Sequence, residues 1–183
     1  NYPPPTPPNW WGEYACSELV KAKLVAQLTV LHTALGVGSF FCETWSNYYP
    51  LDLTLLRRGF SADPISPQQP QAAYYAMRNL ATALDGLDPA GFAIELRGAP
   101  LDVLRFAMAR GRARVVAFWR QGRPDDAGAG TPHDLAVDGR YRKAVGYDPL
   151  NGTLQELHVQ KDGGRTVIPG VLVKDYPLLV RLA

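Results

Sequence analysis

Hydrophobic residues follow two different spacings along the chain. From Ser17 to Leu35 the apolar positions Val20, Leu24, Leu28, Leu31 and Leu35 recur at three- and four-residue steps. That spacing predicts a helix with one leucine-rich face. Ser17 is placed to cap its start, Glu18 suits the positive end of the dipole, and Gly36 supplies the stop. The run GSFFCETW (38–45) is short, aromatic and bounded by glycine, which reads as a buried strand. A second helix is predicted after Ser66 and Pro67, with Ala72, Ala73, Ala76, Leu80, Ala83 and Leu84 on its apolar face and Gly86 at its end. Between strand and helix, residues 46–65 form a long irregular connection, of the kind that is usually functional or anchored.

After Gly86 the spacing changes to that of strands. Segments near Phe92–Leu96, Val103–Met108, Val115–Trp119, Asp134–Val137, Lys143–Tyr147, Leu154–Val159, Thr166–Ile168 and Tyr176–Leu182 cluster or alternate β-formers. Turn signals separate them, including Asn151-Gly152 and Asp162-Gly163-Gly164. Short strands at this spacing predict an antiparallel sandwich or barrel. The change of pattern sets an expected division into residues 1–86 and 87–183.

Composition narrows the function classes. The formal charge of +2 is too small to imply a nucleic-acid partner. Five basic and six acidic residues precede Gly86, so the mild basic excess falls in the strand-rich part. There it is scattered rather than clustered, as on a solvated surface. Cys16 and Cys42 are the only cysteines, in no metal-ligand spacing; one disulfide or two free thiols both fit. No cofactor or metal is expected. No apolar run reaches the roughly 18 residues of a membrane span, and no signal-peptide pattern opens the chain. Five prolines within residues 3–8 make the opening an extended loop, followed by the adjacent Trp10 and Trp11. The first residue is Asn1 rather than Met, from which a processed chain or a fragment is expected.

One helix–strand–helix step cannot close a parallel sheet alone, so it is expected to complete a larger one, supplied by further sequence or a partner chain. The texts ELVKAK (18–23), FFCETWSN (40–47) and QPQAAYYAMRNLATALDG (69–86) resemble the end of clan A glycoside hydrolases. In that family a P-x-x-A-Y-Y-x-x-R run, matched by Pro70 to Arg78, lies on the helix after the last strand. The resemblance implies an α+β fold: the terminal helix–strand–helix portion of a (β/α)8 barrel in residues 1–86, followed by an antiparallel β-sandwich in residues 87–183. It further implies a fragment or subunit of an enzyme acting on β-linked glycosides, with carbohydrate as partner. The two catalytic carboxylates of such an enzyme would lie on strands upstream of this sequence. A non-catalytic carbohydrate-binding or scaffolding module is the alternative.

The loop after the last barrel strand would carry the substrate contacts. Trp45 would stack a sugar ring, or else cap the core. Glu43, two residues earlier and on the same strand face, would accept hydrogen bonds from sugar hydroxyls, or pair with Arg57 or Arg58. Tyr48, Tyr49, Trp10 and Trp11 would line a carbohydrate cleft, or pack the loops against each other. Glu43 and Glu13 are the weak candidates for a catalytic carboxylate. His32 is expected to be structural or exposed, His133 and His158 have no acidic or second His partner at metal spacing, and Ser39 and Ser46 lack the Gly-x-Ser-x-Gly setting of a serine hydrolase. Asn151-Gly152-Thr153 matches a glycosylation sequon, but Asn-Gly is better read as a hairpin turn.

Overall fold

The computed structural model describes residues 17–37, 55–57 and 69–183. They form three layers, two antiparallel sheets and a pair of helices. Helix α1 spans Glu18–Ala34 and α2 spans Ala72–Leu84. Two short strands, β1 (Leu56–Arg57) and β2 (Gln69–Pro70), pair antiparallel just before α2. The remaining strands are β3 (Asp88–Pro89), β4 (Ile94–Arg97), β5 (Val103–Arg110), β6 (Ala113–Arg120), β7 (Thr131–Asp138), β8 (Ala144–Asp148), β9 (Thr153–Leu157), β10 (Gln160–Asp162), β11 (Arg165–Val173) and β12 (Leu178–Leu182).

Six strands make one sheet, in the order β3-β5-β6-β12-β8-β9, and four make the other, β10-β11-β7-β4. The sheets face each other across a core that includes Leu96, Val116, Phe118, Leu135, Ile168 and Leu182. The far side of the six-stranded sheet is covered by the helices: Met108, Val115, Ala117, Trp119 and Leu179 pack with Ala26, Val30, Leu80 and Leu84. This arrangement explains the run Val115–Trp119, which is apolar at every position. Alternate side chains of a strand point to opposite faces. With both faces covered, Phe118 enters the sandwich while Trp119 meets the helices.

The expected fold class is overturned. A barrel portion requires the helices to flank a parallel strand, whereas α1 and α2 pack against each other through Ala22, Val25, Ala73 and Ala76 and together cover an antiparallel sheet. The architecture is mainly a β-sandwich with helices on one side. The strand expected at 38–45 lies outside the described residues. The leucine face expected for α1 is also corrected. The most deeply buried positions are Ala22, Lys23, Val25, Ala26 and Val30, while Leu35 is exposed. Small residues let α2 and the sheet approach closely, while Leu24, Leu28 and Leu31 are only partly buried, Leu31 at the edge of that contact. Helix α2 starts six residues later than Ser66, because Gln69 and Pro70 are spent in β2 and a proline inside a helix would remove a hydrogen bond.

One ion pair fastens the helices to the sandwich. Lys23 Nζ lies 2.9 Å from Asp175 Oδ2, and the two side chains are 3% and 4% exposed. Lys23 also donates to the Asp125 carbonyl at 2.6 Å, and the Asp125 amide donates to Asp175 Oδ2 at 2.9 Å. Three segments therefore meet at one carboxylate: α1, the β6–β7 loop, and the β11–β12 crossover. Gln27 on α1 adds a hydrogen bond to the Asp175 carbonyl, and Ser17 donates to Asp126. Gly128 closes over the cluster with φ +36°, and a Cβ there would collide with Lys23 Nζ.

Removing one partner of such a pair leaves an uncompensated buried charge, at a cost of about 3–5 kcal/mol. Lys23→Ala is therefore expected to lower the urea-unfolding free energy by about that amount. The Lys23→Met, Asp175→Leu double variant is expected to recover most of it, since an apolar pair of similar volume carries no charge to desolvate. A Lys23→Ala loss below about 1 kcal/mol would show that the pair does not hold the layers together.

Candidate functional site

The sandwich opens at one end into a cleft of 680 Å³ between the two sheets. Three sequence features make the room. Gly146 on β8 sits opposite Gln155 on β9, and its missing side chain leaves space beside Leu157. In β11 the pairing register with β7 shifts between Ile168 and Val171, so Pro169 and Gly170 form a bulge. Gly170 takes φ +67°, and its amide donates to Asp134 Oδ1 at 3.0 Å, which holds the bulge in place. The β9–β10 connection at His158 then passes from one sheet to the other along the rim.

The floor of the cleft is apolar, built from Phe118, Leu157, Val171, Leu178 and Val180. The polar wall centres on Asp148 at the end of β8. Its Oδ2 accepts from the Tyr176 hydroxyl at 2.8 Å and from Asn151 Nδ2 at 3.1 Å, and pairs with Lys174 Nζ at 3.4 Å. Its Oδ1 accepts the amides of Leu150 and Asn151. Lys174 in turn donates to the Tyr176 hydroxyl at 2.7 Å. Thr153 and Gln155 share strand parity with Leu157, so alternation turns them toward the cleft.

Tyr176 connects this wall to the buried ion pair. The ammonium groups of Lys23 and Lys174 lie 5.4 and 5.0 Å from its ring centroid, within cation–π range. Burial, then the hydrogen bond to Asp148, pushes its phenol far above the ordinary tyrosine range. Burial also raises the phenol of Tyr147, opposed by the nearby Arg78. Tyr176 is accordingly a neutral donor to Asp148 and not a proton-transfer group near neutral pH.

The residues expected from the sequence to touch substrate are not among those described. Trp10, Trp11, Glu13, Glu43, Trp45, Tyr48 and Tyr49 all lie outside the described residues, as do Cys16 and Cys42. Asn151-Gly152 does form the β8–β9 turn, with Gly152 at φ +65°. The cleft residues Asp148, Thr153, Gln155 and Lys174, and the buried Tyr176 behind them, carry no motif. Their one local signal is the Asp-Pro-Leu-Asn-Gly turn text after β8, which marks Asp148 as a turn-capping carboxylate. Among the described residues no group of His, Cys, Asp and Glu is arranged to hold a metal ion, and no helix is long and apolar enough to cross a membrane.

No family model matches the chain, and no curated protein matches it. A solved structure of a cycloisomaltooligosaccharide glucanotransferase from Paenibacillus sp., complexed with cycloisomaltoheptaose, is similar to part of it. The likeness has a TM-score of 0.45 at 14% identity and covers 60% of this chain. The matched region is only 21% of that protein's length. A likeness at this level carries no argument about fold or function.

The raised phenol of Tyr176 has a pH consequence. A group whose folded-state pKa is raised contributes stability that is intact below its unfolded value, about 10 for tyrosine, and is lost as pH climbs above it. Urea unfolding at about pH 8 and about pH 11 is expected to show an alkaline loss that Tyr176→Phe reduces. An equal loss in both proteins would remove Tyr176 as the cause.

Proposed function

We propose that this chain is a carbohydrate-contacting, non-hydrolytic part of a glycoside hydrolase acting on β-linked glycosides. The observation that carries the carbohydrate reading is the inter-sheet cleft. Sugar rings present apolar C–H faces and a rim of hydroxyls, and the cleft offers an aliphatic floor beside a hydrogen-bonding wall. The polar and aromatic text from Glu43 to Tyr49 supports a second contact region, in which Trp45 stacks a ring and Glu43 with Tyr48 holds hydroxyls. Trp10, Trp11 and Tyr49 extend that region.

The carboxylates support the non-hydrolytic part of the reading. Glycoside hydrolysis uses two carboxyl groups flanking one bond, about 5–9.5 Å apart, one of them kept protonated. In the described residues the candidates are otherwise engaged. Asp148 accepts from Tyr176, Asn151 and Lys174. Glu156 has opposite strand parity to Gln155 and pairs with Lys143 at 3.7 Å. Asp175 is closed inside the ion pair with Lys23. Neither Asp148, held by three partners, nor the largely exposed Glu156 is a buried carboxyl without a partner.

The whole chain, titrated calorimetrically with β-linked oligosaccharides, is expected to bind weakly and to release no reducing sugar. Trp45→Ala is expected to weaken that binding about tenfold, the loss of one stacking platform. Hydrolysis by the wild-type chain that disappears on Glu43→Gln would overturn the non-hydrolytic reading. Identical affinities of wild type and Trp45→Ala would remove the stacking role.

A further inference from the structure

We infer that the inter-sheet cleft selects an uncharged sugar ring, a neutral pyranoside, and discriminates against uronates and amino sugars. The ligand class follows from how the charges in the cleft are already spent. The cationic group on its wall, Lys174, pairs with Asp148 at 3.4 Å and donates to Tyr176 at 2.7 Å. A uronate entering here would have to take Lys174 from Asp148, leaving two carboxylates beside one ammonium. Like charges brought together in a partly desolvated site repel strongly.

An amino sugar meets the converse problem. Both oxygens of Asp148 already accept hydrogen bonds, Oδ2 from Tyr176 and Asn151 with Lys174 alongside, and Oδ1 from the amides of Leu150 and Asn151. No lone pair is left to reward a buried ammonium. Glu156 also lines the cleft, but its carboxylate pairs with Lys143 at 3.7 Å and is 72% exposed, where solvent screens it.

Apart from one N–H of the paired Lys174, the unspent groups beside the floor are neutral. Thr153 and Gln155 offer a hydroxyl and an amide, which together donate and accept, and Lys174 retains one N–H. These groups lie beside the floor of Leu157, Val171 and Leu178. A ring whose hydroxyls reach Thr153, Gln155 and Lys174 while its C–H face lies on the floor satisfies every one of them without adding charge. Gly146, opposite Gln155, is where the ring edge gains room, since any larger side chain there would press on Leu157.

This ligand class presupposes that the cleft binds carbohydrate at all, and the test separates the two. The whole chain is titrated with three β-linked disaccharides: cellobiose, its glucuronyl-glucose counterpart and its diamino counterpart, each at low and at physiological ionic strength. Cellobiose is expected to bind at least about tenfold more tightly than either charged analogue, with an affinity that salt barely changes. Gln155→Ala is expected to weaken cellobiose binding about fivefold, one hydrogen bond's worth. Gly146→Val, which fills the cleft, is expected to abolish it with thermal unfolding still cooperative.

Tighter, salt-sensitive binding of the glucuronyl disaccharide would overturn the neutral-ligand inference and leave the carbohydrate reading standing. Failure of all three disaccharides to bind would overturn both. Cellobiose binding unchanged in Gln155→Ala, where the exposed edge position rules out a folding defect, would place the sugar outside the cleft and overturn the inference alone.

Discussion

A carboxylate buried to a few per cent exposure has to be neutralised where it stands, and much of this structure is organised around meeting that requirement for Asp175. Desolvating the charge costs several kcal/mol, an amount that only a close counter-charge and additional hydrogen bonds offset. Lys23 supplies the charge and the Asp125 amide supplies a hydrogen bond. Because these groups come from a helix, a loop and a crossover between sheets, neutralising Asp175 through its Oδ2 brings all three together. The pair adds less to net stability than to geometry. Apolar packing on both faces of the six-stranded sheet is the larger driving force, but greasy contacts alone leave a helix pair free to slide over a sheet.

The same crossover shapes the cleft. Lys174, Asp175 and Tyr176 are consecutive, yet they serve opposite sides: Asp175 reaches the helix, while Lys174 and Tyr176 reach Asp148 at the end of β8. Tyr176, near both lysine ammonium groups, is the common wall between the buried ion pair and the open site. Any shift of α1 that moved Lys23 would be felt at Tyr176 and so at the polar wall of the cleft.

The electrostatics of the outer surface differ from those of the cleft. On the four-stranded sheet Arg165 pairs with Glu95 at 2.6 Å and with Asp138 at 3.1 Å, and Arg97 pairs with Asp162 at 2.6 Å. The Arg97 guanidinium holds the Asp162 carboxyl below its usual range. These groups are largely exposed, so each pair contributes little to stability. Among the described residues, this face carries charged side chains and no exposed aromatic ring of the kind that makes a flat sugar platform. The cleft, with its charges internally paired, offers the better chemical match to an uncharged polyol.

How much was legible in the sequence differs from element to element. The strands β5, β6, β8 and β12 were readable because short runs of β-forming residues bounded by turn signals are a local property of the text. The Asn151-Gly152 turn was readable because glycine tolerates φ near +65° and most other residues do not. Both helices were readable too, from their three- and four-residue spacing. Their packing was not. An alanine-rich helix face fits a parallel sheet and an antiparallel one equally well, so the helix–strand–helix text suggested a barrel where the helices cover a sandwich. Nor did the leucine spacing of α1 reveal its buried side, since Lys23 and Ala26 are enclosed only once α2 and the sheet arrive. The cleft was hidden for the same reason: Asp148, Gln155, Lys174 and Tyr176 become neighbours only through strand pairing and a sheet-to-sheet crossover. Local spacing and backbone preference determined the elements and their turns. Which faces meet, and which charges are spent on each other, depended on contacts between residues distant in sequence, and only the tertiary structure decided them.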